Sequence, residues 1–170
     1  MRMLMALIAA AGLITGCSSD PRKGYSFAST YPAGVQTVTV PVFENLTFYP
    51  GLEVQLTEAL IKQIQATSGL RVVGAGSADS RLSGTITDAQ LRRLTLDKTT
   101  GLVQEQAFQV TIDFEWRDIR SGKVIMSRRN FAAADTFIPA RPTGERLETG
   151  QAGAVQRLAR DIVAEMRSAW

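Results

Sequence analysis

The chain has 170 residues, 45% hydrophobic and 21% charged, enough for one domain with a single core. Its formal charge of +3 is too small a bias to point to nucleic acid. With no histidine and a single cysteine, Ser/His triads, His/Cys zinc sites and internal disulfides are all excluded, and no Asp/Glu run has the spacing of a calcium loop.

Residues 1–16 carry one charge at Arg2, then an apolar run from Met3 to Ile14, then small residues. This is the layout of a secretory signal peptide, and the run is far shorter than the roughly 20 residues of a membrane-spanning helix. Ile14-Thr15-Gly16-Cys17 is similar to a bacterial lipobox, and the protein's one cysteine falls at the acylated position. Cys17 is therefore the expected lipid attachment site, and Ser18 after it, rather than Asp, leans towards the outer membrane. Acylation at this position exceeds the two-signal threshold for stable anchoring. Loss of Arg2 leaves 18 basic against 16 acidic residues. Residues 17–34, interrupted by Pro21, Gly24, Pro32 and Gly34, read as the acylated cysteine and a tether, with Tyr25 and Phe27 available to dock. Residues 35–170 then form a single domain.

Val35 to Phe43 alternates as a half-buried strand, with Val38, Val40 and Val42 expected inward and Thr37 and Thr39 outward. Pro41 cannot donate to a ladder, so it belongs at an edge or near the strand's end. Leu52, Leu56, Ala59, Leu60, Ile64 and Thr67 recur at helical spacing, and Gly69 is the expected left-handed stop. A short strand, Leu70 to Val73, follows. Between Asp79 and Asp97 the apolar phase shifts repeatedly among β-branched residues, which predicts a strand with one or two bulges.

The clearest strand is Gln106 to Trp116, with Phe108, Val110, Ile112, Phe114 and Trp116 on one face. At roughly 1.5–3 kcal/mol per large side chain buried, these five contribute on the order of 10 kcal/mol before the opposing chain entropy. Ser121-Gly122 suits a two-residue hairpin turn, which would set Glu115 opposite Arg128 and Arg129 opposite Phe114. Strand pattern runs on to about Phe137 and stops before Pro139 and Pro142. From about Glu145, Leu147, Ala154, Leu158, Ile162 and Met166 form a second helical stripe. Gly144, Gly150 and Gly153 predict a kink, a late start or close packing in its first turns. The order predicts an α/β (α+β) fold, a two-layer sandwich of two helices packed on one face of a mixed four- to five-stranded sheet.

Thr39-Val40-Pro41-Val42-Phe43-Glu44-Asn45-Leu46-Thr47, followed by Pro50-Gly51-Leu52-Glu53 and Leu56-Thr57-Glu58-Ala59-Leu60, closely resembles the LptE-type lipopolysaccharide-assembly lipoproteins. Gly24-Tyr25-Ser26-Phe27 and the closing helix ending in Trp170 also look like that family, although here Ser18 to Lys23 separate the cysteine from the Gly-Tyr pair. The resemblance implies an outer-membrane lipoprotein, facing the periplasm and a barrel lumen. Such a protein plugs the LptD β-barrel, supports its assembly and assists delivery of lipopolysaccharide to the outer leaflet. It implies no enzyme activity and no cofactor. The rival reading is a periplasmic lipoprotein with a similar small α/β domain that regulates a peptidoglycan synthase or builds a secretion pore.

Lipopolysaccharide carries phosphates, for which arginine offers paired planar donors. The candidate lipopolysaccharide-binding residues are Arg92, Arg93 and Lys98, near the tip before the Gln106 strand, and Arg129 on the next hairpin arm. Arg128 is discounted because Glu115 is expected to neutralise it. The bland alternative for each is a solvated cation in a surface ion pair worth about 0–1 kcal/mol. Glu53, Glu58, Asp113 and Glu115 could form an acid/base pair only with a flanking nucleophile or pocket, and the sequence signals neither.

Overall fold

A computed structural model of the chain describes residues 34–96, 98, 103–139 and 144–168. The expected signal peptide, Cys17, the expected tether up to residue 33 with Tyr25 and Phe27, and Trp170 lie outside the described residues. In order, the elements are strands β1 (Thr37–Thr39) and β2 (Glu44–Asn45), helix α1 (Leu52–Thr67), strand β3 (Arg71–Val72) and a 3-10 turn (Ala75–Ser77). Strands β4 (Ser80–Leu96), β5 (Val103–Asp118) and β6 (Val124–Phe137) and helix α2 (Leu147–Ser168) complete the domain. The sheet is mixed and six-stranded, ordered β3-β1-β4-β5-β6, with β2 pairing β4 beyond the end of β1. β1 and β2 run parallel to β4, whereas β4, β5 and β6 are antiparallel. Both helices cover one face, giving the two-layer α+β architecture read from the pattern, with slightly more strands than expected.

The extra strand comes from Pro41. Thr39 pairs with Arg81 and Glu44 with Thr85, so five residues advance along one chain for four along the other. A residue without an N–H is the one place where the ladder loses no donor by breaking. The insertion also reverses the phase: Phe43 is buried and Val42 exposed, contrary to the expected inward Val42. β1 is not half-buried either. It lies between β3 and β4, so Thr37 and Thr39 are buried along with Val38.

Thr37 tolerates burial because its hydroxyl donates to Asp79 Oδ2 (2.8 Å) and accepts the Asp79 N–H (2.8 Å). The backbone N–H groups of Gln36 and Thr37 also reach Asp79 Oδ2, and Arg120 Nη2 reaches both Asp79 Oδ1 (3.3 Å) and the Gly34 carbonyl (2.8 Å). The Thr37 hydroxyl and then the Gln36 N–H hold the Asp79 carboxyl below the usual carboxylate range. The Ser121 backbone N–H does the same for Asp118, and the backbone N–H of Glu53 itself, followed by the Asn45 amide, for Glu53. A carboxyl whose folded pKa is lowered stabilises the fold fully above its unfolded value, and that contribution is lost as pH falls through the folded value. Urea stability is therefore expected to hold between neutrality and about pH 5 and to decline below about pH 4. Asp79→Asn should flatten that decline, as read from urea midpoints between pH 7 and 3. An acid limb identical to wild type would remove Asp79 from the account.

α1 buries Leu52, Leu56, Ala59, Leu60 and Ile64, while Thr67 at its end is exposed. Gly69 is not left-handed. The helix closes instead at Ser68, whose N–H (2.9 Å) and hydroxyl (2.6 Å) both donate to the Ile64 carbonyl, and the left-handed glycine is Gly51 at the other end (φ 88°). β5 behaves as read: Phe108, Val110, Ile112, Phe114 and Trp116 are all buried beneath the helices. β4 carries the expected irregularities, with register shifts at Ile86/Asp88 and around Arg93 to Leu96. In α2 the glycines serve close packing: a Cβ on Gly150 would come within 2.5 Å of the Phe137 ring, and one on Gly153 would collide with the Asp135 carboxylate.

The β5–β6 hairpin differs from its expected form. The Asp118 N–H donates to the Lys123 carbonyl across a four-residue loop, with Gly122 left-handed (φ 69°) and the Ser121 N–H capping Asp118 Oδ1 (2.9 Å). The longer loop and a bulge before Arg117 shift the register by one, so Glu115 pairs with Ser127 and Phe114 with Arg128.

Candidate functional site

The candidate cations lie on two separate parts of the sheet. The far ends of β4 and β5 form an arm, and every β4 residue from Gln90 to Leu96 is exposed. Along it the cations Arg92 and Arg93 are flanked by Leu91, Leu94 and Leu96, and Lys98 follows, exposed in the turn. Arg92 and Arg93 are adjacent in an extended strand and so point to opposite faces. Arg92 pairs with Ala107 and donates to Gln109 Oε1 (3.2 Å), on the face away from the helices; Arg93 pairs with Gln106 on the other. Leu94 occupies a bulge and is 52% exposed, and Leu96 is 54% exposed, so the tip presents hydrocarbon beside its cations.

Arg129 lies elsewhere. It sits in a bulge of β6, where two residues, Arg129 and Asn130, oppose Asp113. Asn130 is left-handed (φ 52°), and its N–H donates to Asp113 Oδ1 (2.8 Å). From Asp113 to Ala107, the partner of Arg92, is six residues, roughly 20 Å along the strand. Arg92 and Arg129 can meet one extended ligand but not one phosphate.

Arg128 is neutralised, though not by Glu115. It donates through Nε and Nη2 to Glu165 Oε2 on α2 (3.0 and 2.8 Å), while Glu115 pairs with Arg117 (2.6 Å). Among the described residues Arg93, Lys98 and Arg129 have no carboxylate partner.

Around Arg129 the uncovered face of the sheet forms a shallow groove of about 440 Å³, with Glu44, Ser83, Thr85, Asp113 and Glu115 along it. Glu44 accepts from the Thr85 hydroxyl (3.2 Å), Asp113 from Asn130 and Glu115 from Arg117. Each carboxylate is already bonded, and the groove offers polar recognition rather than a proton-transfer pair. Among the described residues, no group of three or more His, Cys, Asp or Glu side chains could hold a metal ion, and no helix is long and apolar enough to cross a membrane.

The Val40 to Leu60 stretch contains a network that sequence reading missed. The Asn45 amide donates to the Tyr49 carbonyl (2.9 Å) and to Glu53 Oε2 (2.7 Å), and its Oδ1 accepts the Thr47 N–H (2.9 Å) and hydroxyl (2.7 Å). Glu53 in turn accepts the Gly51 N–H, and the Thr57 hydroxyl accepts the Phe43 N–H (3.2 Å). These residues build the corner that joins β2 to α1. The signal available was the Asn45-x-Thr47 spacing before Pro50-Gly51, which is the side-chain chemistry of a closed turn.

A model of the family described as LptE, lipopolysaccharide-assembly, matches residues 35–169, the whole of this domain but its last residue. The chain belongs to the LptE family. Solved structures share the fold at low identity. The hypothetical protein CT253 of Chlamydia trachomatis matches at 12% identity and TM-score 0.56, over 79% of this chain and 97% of that one. An uncharacterised lipoprotein B of Nitrosomonas europaea matches at 14% and 0.51, over 85% and 92%. A PelC dodecamer of Paraburkholderia phytofirmans matches at 17% and 0.50, over 79% and 89%. Comparison with curated proteins finds no match. Membership of the LptE family selects lipopolysaccharide assembly over the peptidoglycan and secretion-pore readings.

Proposed function

We propose that the mature LptE-family protein is an outer-membrane lipoprotein, acylated at Cys17, that occupies the lumen of an LptD-type β-barrel. It supports assembly of that barrel and passes lipopolysaccharide towards the outer leaflet, without making or breaking bonds. Family membership supports the ligand class. The observation that carries the reading is the arm, where Leu91, Leu94 and Leu96 stand exposed among Arg92, Arg93 and Lys98. Hydrocarbon beside cations is complementary to an amphiphile with phosphates on its headgroup. The open sheet face bears Ser83, Thr85, Thr111 and Asp113, a polar surface that suits the polar interior of a wide barrel. Arg129 gives a second cationic group for a ligand lying along that face.

Affinity purification of the tagged full-length protein from detergent-solubilised outer membranes tests both halves. Wild type is expected to recover a large β-barrel protein and lipopolysaccharide. Charge reversal at Arg92, Arg93 and Lys98 together removes three charge-assisted hydrogen-bond donors to phosphate. It should lower lipopolysaccharide recovery by at least about tenfold and leave the barrel bound. Recovery without a barrel would sink the plug reading, and undiminished lipopolysaccharide on the triple variant would remove the tip as the ligand site.

A further inference from the structure

β2 and the corner after it are flanked by three apolar side chains in solvent: Val42, just before β2, and Leu46 are 62% and 64% exposed, and Phe48 is 101% exposed. Single exposed apolar residues are ordinary, but three clustered along a short stretch, one an uncovered phenylalanine, mark an interaction surface. The corner is ordered. The Asn45 network closes it, and the Tyr49 ring packs edge-on against Phe108 with centroids 5.0 Å apart. Phe43 is buried and Asn45 reaches inward to Glu53, so Val42, Glu44 and Leu46 share the outward side of the strand. Because the backbone of the corner is already closed, docking Phe48 costs little backbone entropy, which suits an interface anchor.

The strand positions beside Val42 and Leu46 carry carboxylates where the tip carries cations. Glu44 lies between Val42 and Leu46, and the Leu46 N–H donates to the Ile86 carbonyl (3.0 Å), two residues before Asp88. Asp88 pairs with Thr111 and so faces the uncovered side of the sheet with Glu44 and Leu46. Carboxylates repel lipid phosphates and favour cationic partner groups. Val42 and Leu46 therefore stand beside Glu44 and Asp88, with Arg129 in the same groove as Glu44, whereas Leu94 and Leu96 stand beside Arg93 and Lys98; the first surface suits a protein and the second a phosphorylated amphiphile.

We infer that Val42, Leu46 and Phe48 anchor the domain in an apolar, cation-rimmed socket on the lumen wall of its barrel partner. The inference rests on the reading that the partner is a β-barrel. The test uses the full-length acylated protein, purified from solubilised outer membranes. Phe48→Asp is expected to recover on the order of 30-fold less barrel, the loss of one anchor aromatic, and Glu44→Lys with Asp88→Lys should also weaken recovery. The melting temperature of Phe48→Asp should match wild type, because that side chain is fully exposed. A photo-reactive phenylalanine analogue at position 48 is expected to cross-link to the barrel. If wild type recovers the barrel and Phe48→Asp recovers as much, the anchor is overturned and the plug reading survives. Cross-linking to lipopolysaccharide in place of the barrel also overturns the anchor, and a wild type that recovers no barrel overturns both.

Discussion

Leu56→Asp is expected to abolish cooperative folding. Leu56 is fully buried on α1, within the same core as Leu52, Leu60, Ile64 and the α2 residues Leu158 and Ile162. Truncating such a leucine costs about 2–5 kcal/mol through lost transfer and a residual cavity. A carboxylate there has in addition neither water nor a cation to pair with, and its desolvation exceeds what remains of a typical net stability of about 5–15 kcal/mol. The contrast with Leu56→Ala isolates the charge. The alanine variant should keep a cooperative urea transition at a lower midpoint, whereas the aspartate variant should show none and be digested rapidly by protease. A Leu56→Asp protein that unfolds cooperatively near the wild-type midpoint would mean that this helix face is exposed in solution and serves docking.

What was legible in the sequence followed from side-chain periodicity. Phe108 to Trp116 and the Leu52 to Ile64 and Ala154 to Met166 stripes repeat at periods of 2 and 3.6, and large apolar residues at those periods leave one way to make a core. What was not legible depended on single backbone events. One inserted residue at Pro41 exchanged the roles of Val42 and Phe43, and a longer hairpin loop with a bulge before Arg117 gave Arg128 a different neighbour. Period-2 patterns do not reveal such slips, because a one-residue shift exchanges the faces without changing the composition. Gly69 misled because a serine that bonds back to Ile64 ends the helix as well as a left-handed glycine does. Asp79 was invisible as a hub because its partners Gln36 and Thr37 are more than 40 residues away.

The candidate site divided in the same way. That Arg92 and Arg93 point apart follows from strand alternation, and their exposure follows from an arm whose apolar phase fails. The distance from the tip to Arg129 could not be read without the β5 register, since it is the pairing of Ala107 with Arg92 and the place of Asp113 opposite the bulge that separate them. Phe48 was the hardest to read. A phenylalanine so close to a strand of valines resembles core, and only the Asn45 bonds that turn the chain reveal that it faces out.

Gly84→Val is expected to lower stability by several kcal/mol even though valine is the better strand former. β-propensity would favour the substitution by at most about 1 kcal/mol. The packing against it is backbone. A Cβ on Gly84 would collide with the Asp113 carbonyl oxygen, would lie 2.6 Å from the Phe43 ring and 2.9 Å from the Phe114 Cβ, and could be accepted only by parting β4 from β5 or by lifting Phe43. Overpacking of this kind costs about 1–3 kcal/mol for small insertions. Gly84→Ala should therefore lower the melting temperature by about 3–10 °C for a domain of this size, and the valine by more. Lifting Phe43 would also move β2 and with it the Glu44–Phe48 corner, so the variant tests whether the two are mechanically joined. The decisive measurement is a double-mutant cycle. Phe43→Ala is destabilising alone, but it removes the ring that meets the new methyl group, and the Phe43→Ala, Gly84→Ala pair should be more stable than additivity allows by about 0.5–3 kcal/mol. Strict additivity would place the strain of a Gly84 side chain on the Asp113 carbonyl and the Phe114 Cβ, and the corner would then be free of it.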